Sequence, residues 1–189
     1  MAPAQEQSTA TVQGLTPGTW TVDPSHSEVG FVVRHLMVSK VKGRFGGVSG
    51  TINVAPDVLQ SSVQASVDVT SIDTRDERRD AHLRSADFFE AEKFPTMTFT
   101  STGIRQSGDS YLLDGDLTIK GVTKSVTFDL ELNGVGPTPA QGLVAGFSAE
   151  TEISRKDFGL EWNVALETGG VMVADKVTIL LEIEATKAD

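Results

Sequence analysis

Three histidines, His26, His35 and His82, are the side chains of this sequence best suited to chemistry near neutral pH. His26 and His35 bracket the stretch HSEVGFVVRH, in which Val29, Phe31 and Val33 alternate with Glu28, Gly30, Val32 and Arg34. Along a strand, positions nine apart face opposite sides and lie roughly 30 Å from each other. One metal ion therefore cannot join this pair. His82 has Asp80 and Asp87 nearby in sequence, but no HExxH spacing accompanies it. A solvated or hydrogen-bonded helix histidine is the expected outcome there, rather than a metal site. The chain contains no cysteine, which excludes disulfides, thiolate ligands and cysteine nucleophiles. Asp23, Ser25 and His26 supply the residue types of a hydrolytic triad, yet a PSH segment at a strand entrance ordinarily makes turn and backbone bonds. No GxSxG elbow is present. Asp114 and Asp116 share the wet face of their strand and read as solvation, and the glycines form no phosphate-loop or dinucleotide pattern.

The elements that position these residues follow a period of two. Val63, Ala65, Val67 and Val69 share one face, and Met97 and Phe99 another. Tyr111, Leu113, Gly115, Leu117 and Ile119 continue the pattern, as do Val126, Phe128, Leu130 and Leu132. Leu143, Ala145, Phe147, Ala149 and Ile153 repeat it, and the chain closes with Val171, Val173, Val177, Ile179, Leu181 and Ile183. These are half-buried antiparallel strands. About nine candidate strands result, eight of them long, separated by turn signals that include Lys120-Gly121 and Asn133-Gly134-Val135-Gly136-Pro137. The long alternating faces suit an all-β closed barrel better than a sandwich of short strands. Residues 1–17 read as a flexible lead and 18–187 as one barrel domain.

The clear interruption is DTRDERRDAHLRSADFFEAEKF at 73–94. Thr74 and Glu77 have capping-box spacing, and Asp80 and Arg84 stand four apart in the favourable order, so a short helix over 75–84 is expected. Its apolar content is thin, which makes it a polar cover anchored by Phe88, Phe89 and Phe94. A second long connection, near 154–170, carries Phe158 and Trp162 as anchors. A mouth or lid is expected where these two excursions meet.

Sixteen Lys and Arg against 26 Asp and Glu give a net charge of -10, which argues against broad nucleic-acid binding. No apolar run is long enough to span a membrane as a helix. The opening MAPAQEQSTATVQGLTPGTW lacks the basic and apolar regions of a signal peptide. A cytoplasmic product is expected from this, or a periplasmic or secreted one if the chain is a processed form. What remains is a dry interior. Phe31, Phe45, Phe99, Phe128 and Phe147 are candidates to line it, with Val33, Val67 and Leu117 on the same faces and Phe158 from the second connection. Gly115, Ala145 and Ala149 leave room for a cavity. Enclosing an apolar chain contributes about 0.8 kcal/mol per methylene, or of order 8 kcal/mol for ten carbons before binding costs. No cofactor is required. His35, in phase with Phe31 and Val33, either donates to a buried carbonyl at the strand end or meets a ligand headgroup at the mouth. Arg78, Arg79, Arg84 and Arg155 could gather there and favour an anionic or carbonyl-bearing headgroup. An enzyme acting on a lipid through His35 or His82 is the alternative.

The motifs WTVDPSHSEVGFVVRH (20–35), VKGRFGGVSGTI (41–52), VDVTSIDTRDERRDAHLRSADFF (67–89), KFPTMTFTST (93–102), LTIKGVTKSVTF (117–128) and SRKDFGL (154–160) resemble the bacterial YceI-like proteins. The resemblance implies an extended eight-stranded, antiparallel, lipocalin-like barrel with a helical segment by its opening. It further implies carriage of isoprenoid quinones, polyprenyl phosphates or fatty-acid derivatives, often by a homodimer. His35, Asp73, Arg78 and His82 belong to the family's characteristic set by the same resemblance, as do Arg155 and Phe158.

Overall fold

Each of the alternating stretches 18–35 and 39–54 forms two strands in line, divided by a local break. β1 (Gly18–Val22) and β2 (Glu28–His35) are separated by a single 3-10 turn at Pro24–His26. Pro24 has no N–H to give to a ladder, and Asp23 caps the turn by accepting from the Ser25 N–H at 2.9 Å. β3 (Ser39–Phe45) and β4 (Val48–Val54) are divided by Gly46-Gly47. The chain continues through β5 (Ser62–Asp68), β6 (Ile72–Asp73), α1 (Glu77–Arg84), β7 (Thr96–Ser107), β8 (Ser110–Ile119), β9 (Val122–Thr138), β10 (Gly142–Ser154) and β11 (Val173–Lys187). This computed structural model describes residues 10–167 and 170–188.

All ladders are antiparallel, in the order β1-β4-β5-β7-β8-β9-β10-β11, and β11 returns to β1 to close an eight-stranded barrel. β2 and β3 prolong β1 and β4: β11 pairs with β2 up to Glu182 and with β1 from Ala185. The expected barrel is thus formed, with one gap. On its far side β3 pairs only at Arg44 and Phe45, with the two-residue β6. On that side Phe89, from the excursion carrying α1, packs edge-on against Phe45 at the end of β3.

Asp76, not Thr74, caps α1, accepting from the Arg79 N–H at 3.1 Å. Thr74 is buried instead, where its N–H and hydroxyl both donate to the buried Asp80 carboxylate at 2.9 and 2.5 Å. Asp80 therefore turns away from Arg84, which pairs with Glu77 at 3.0 Å. The helix is held down through Phe88 and Phe89, as its thin apolar content requires.

Three other expectations change. The 133–137 segment is no turn: β9 runs through it and reverses only after Thr138. Beyond Leu130, β9 has β10 on one side and no β8 on the other, so Pro137 lies on an unpaired edge, where its missing N–H costs nothing. Gly115 does not leave open space, because the Phe99 ring occupies it. Finally, the part of the lead that is described, from Ala10 onward, is packed on the barrel. The Ala10 carbonyl accepts from the Val58 N–H at 2.8 Å, and Leu15 joins an apolar cluster of Trp20, Val54, Ala145 and Ala185. Residues 1–9 lie outside the described residues. This cluster fills one end of the barrel, and the larger core surrounds its middle and its α1 end.

Candidate functional site

The inward faces of the strands do not meet across the barrel. Between them lies a cavity of about 280 Å³ with almost wholly apolar walls. Phe31, Val33, Phe45, Val67, Phe99, Leu117, Phe128, Phe147 and Phe158 all line it, so nine of the expected lining residues converge on one space. Alternation explains this: each is an inward position of its strand, Phe158 excepted, which enters from the turn after β10. Edge-on packing of Phe99 against Phe128 (centroids 5.4 Å apart) and of Phe45 against Phe89 (5.7 Å) fixes the walls. Val12 and Leu15 also reach the cavity from the N-terminal segment, which the polar character of that segment concealed.

At the α1 end a smaller recess of about 150 Å³, mainly apolar but with four basic side chains in its lining, adjoins the cavity. Phe31, Val33, Leu83, Phe88 and Val173 belong to the walls of both. Arg34, His35, Val41, Arg79, His82, Trp162 and Met172 complete the recess. His35 lies here and not in the main cavity, and its ring makes no hydrogen bond among the described residues, so the strand-end carbonyl is not its partner. His82 donates from Nε2 to Asp87 Oδ2 at 2.8 Å. Its ring stands edge-on to Trp162 at 4.7 Å and to Phe88 at 5.2 Å. Helix geometry brings Arg79, His82 and Leu83 onto one face, three and four residues apart.

Three of the four arginines assigned to the mouth are elsewhere, Arg84 being paired with Glu77 and lining neither space. Arg78 is exposed and lines neither space, being one position out of phase with Arg79. Arg79 reaches back to Thr74 through Nε (2.8 Å to Oγ1) and Nη2 (2.7 Å to the carbonyl). Arg155 is buried, and its guanidinium donates to the carbonyls of Leu160, Trp162, Val173 and Ala174 at 2.6–3.2 Å. Burial pushes its pKa down, opposed by Asp175 3.8 Å away. It ties the second connection to the start of β11, and its contact with a ligand is limited to the cavity wall. Asp73 lies outside both spaces, where it accepts from the Arg75 N–H at 2.9 Å and faces Arg44 at 3.6 Å. Arg79 and Leu83 were legible from the phase of His82 on a helix; Arg155's inward turn had no sequence signal.

The Asp23–Ser25–His26 group is on the outer surface and is not a triad. Asp23 Oδ2 (2.7 Å) and Ser25 Oγ (3.2 Å) both meet Nδ1 of His26, whereas a relay places them on opposite ring nitrogens. Hydrogen bonds from His26 and Ser25 hold the Asp23 carboxyl far below the usual range, and Asp23 and Glu184 raise His26. Asp23, His26 and Glu184 offer ligand atoms within 4.8 Å of one another, but Nδ1 is already engaged by Asp23. Asp114 is more than solvation: Arg105 binds it at two 2.8 Å contacts and Thr127 donates at 2.7 Å.

A barrel with an apolar bore and a helix beside its opening is matched by sequence as well as shape. Residues 20–185 fit the YceI-like domain. The chain belongs to the YceI-like family. Within reach of this family, the UPF0312 protein SAS2572 of Staphylococcus aureus (strain MSSA476) is 42% identical over 163 residues, covering 84% of this chain and 91% of its own. The structure of BcnA from Burkholderia cenocepacia superposes with a TM-score of 0.74 at 29% identity, over 87% of this chain and 99% of that one. A polyisoprenoid binding domain from Saccharophagus degradans shares the fold, with a TM-score of 0.69 at 18% identity over 92% and 100%. Val33, Arg34 and His35 of the VRH motif and His82 and Leu83 of DAHLR line the same recess. Among the described residues, no helix is long and apolar enough to cross a membrane.

Proposed function

We propose that this protein binds a long apolar molecule of the isoprenoid type without covalent chemistry, its tail in the cavity and its polar head in the recess. The observation that carries this reading is the junction of the two spaces. The apolar bore shares five wall residues with an adjoining chamber lined by Arg34, His35, Arg79 and His82 and by no carboxylate. The tail gains about 0.8 kcal/mol for each methylene removed from water. The head meets imidazole and guanidinium donors, which suit quinone carbonyls or a phosphate. Together the volumes match those of small-molecule sites, roughly 300–1,000 Å³. The name of the Saccharophagus domain, although that protein shares only the fold at its level of identity, agrees with an isoprenoid tail.

Native mass spectrometry of the purified protein, followed by organic extraction, tests the proposal. A co-purifying isoprenoid, or stoichiometric uptake of an added ubiquinone or polyprenyl phosphate, is the expected result. Failure of every such compound to bind would overturn it. Turnover of the bound lipid that disappears in His35→Ala or His82→Ala would replace carriage with catalysis.

A further inference from the structure

Next to the recess, the β2–β3 hairpin ends in Leu36-Met37-Val38, and these apolar side chains are exposed to 37, 51 and 84%. Val164, also exposed, is two backbone positions away: the Leu36 N–H donates to the Met172 carbonyl at 2.8 Å, and the Met172 N–H to that of Val164 at 2.9 Å. The turn is closed by the Val38 N–H on the His35 carbonyl at 3.2 Å. Its central residues, Leu36 (φ 53°) and Met37 (φ 62°), both have left-handed backbone. Such turns ordinarily carry Asn and Gly, which adopt this conformation with little strain. Here two large apolar residues occupy it, with their side chains in water. Neither backbone preference nor burial accounts for that choice.

The charge beneath the tip is equally uneven. The chain has 26 acidic residues, yet none falls between Glu28 and Asp57. On the outer face of the hairpin Arg34 is paired across from Lys40, and Lys42 follows opposite Val32. Arg34, Lys40 and Lys42 make no ion pair among the described residues, whereas Arg44 beyond them is neutralised by Glu28 and Asp73. The adjoining connection contributes Asp157, Glu161 and Glu167 as its exposed acids. An exposed apolar tip set on a cationic collar, in a protein of net charge -10, is complementary to an anionic lipid surface and would be turned toward it by the protein's own field.

We infer that Leu36, Met37, Val38 and Val164, flanked by Arg34, Lys40 and Lys42, form a docking surface for an anionic lipid bilayer, which presents the recess to the membrane. Only Arg34 is shared with the recess; Leu36, Met37, Val38, Val164, Lys40 and Lys42 line neither space, so variants at those positions test this surface without altering the cavity walls.

Sedimentation of the full chain with phosphatidylglycerol–phosphatidylcholine vesicles tests the inference. Binding to the anionic vesicles is expected, with weakening as salt rises and little binding to pure phosphatidylcholine. Loss of one collar cation, as in Lys40→Ala, should weaken binding about fivefold. The double variant Leu36→Asn, Met37→Gly is the decisive one. It relieves the turn, so its unfolding midpoint should hold or rise while vesicle binding falls at least about tenfold. Unchanged binding in that variant, or no binding of the native chain to anionic vesicles, overturns the inference. Concentration-dependent self-association that Val38→Asp abolishes, without vesicle binding, overturns it in favour of a second copy on the same patch.

Discussion

The Phe99 ring lies across Gly115 on the neighbouring strand, so close that a methyl group on Gly115 would overlap it. Phe31 lies over Gly43 in the same way, and those two are directly paired between β2 and β3. Two of the cavity's aromatic walls therefore have the far ends of their rings against bare backbone. The bore exists because glycine lets these rings lie back against the sheet.

Alanine at the two glycines should give different results. At Gly115 the added carbon would also stand 2.7 Å from the Thr100 carbonyl, which cannot swing aside. Gly115→Ala should cost roughly 1–3 kcal/mol in urea unfolding. At Gly43 only ring atoms are in the way, so Gly43→Ala should push Phe31 into the bore, with a smaller loss of stability and a larger loss of lipid uptake.

Arg155 holds four backbone carbonyls together. Arg155→Met should lower stability by about 3 kcal/mol or more, because carbonyls left buried without a donor cost roughly 1–3 kcal/mol each. Arg155→Lys should recover little of this, since an ammonium cannot reproduce the fork. Acrylamide quenching of Trp162, whose carbonyl is one of the four, should rise in both.

Trp20 is fully buried at the opposite end, with its indole N–H donating to the Thr16 carbonyl at 3.0 Å. Trp20→Ala should cost about 3–5 kcal/mol. It should also loosen Leu15 from the barrel end, and limited proteolysis near residue 15 reads that directly.

Two surface pairs should titrate in opposite directions. Arg105 and Thr127 hold the Asp114 carboxyl at about 2, below the ordinary 3.8. Its pairing therefore stabilises the fold above pH 3.8 and is lost as pH falls through about 2. His26 is raised above 6.5 by Asp23 and Glu184. Its contribution is complete below pH 6.5 and disappears as pH rises through the higher folded value. Carboxyl and imidazole NMR titrations measure both. Glu184→Gln should bring His26 back toward 6.5.

Much of the barrel was legible because a strand declares its buried face in every second residue. Phe128 and Leu117 could be assigned to the bore from alternation alone, and the structure places them there. His35 continued the phase of Phe31 and Val33, and it reaches the recess at the end of their row. Alternation does not, however, say where pairing stops. The Asn133–Pro137 segment has every mark of a turn, yet it continues as strand because β10 still pairs with it where β8 no longer does.

By itself, the sequence determined the all-β architecture, the family, and the apolar character of the interior, since these depend on local periodicity and on motifs contiguous in the chain. Tertiary structure decided which polar groups share a chamber. Arg79 and not Arg78 reaches the recess because of the phase of a helix only eight residues long. Arg155 is a buried clamp because four carbonyls from separate segments converge on it. Whether the interior stays open was also a tertiary matter: side-chain volume is local, but the space left over depends on how far the closed ring of strands holds opposite walls apart.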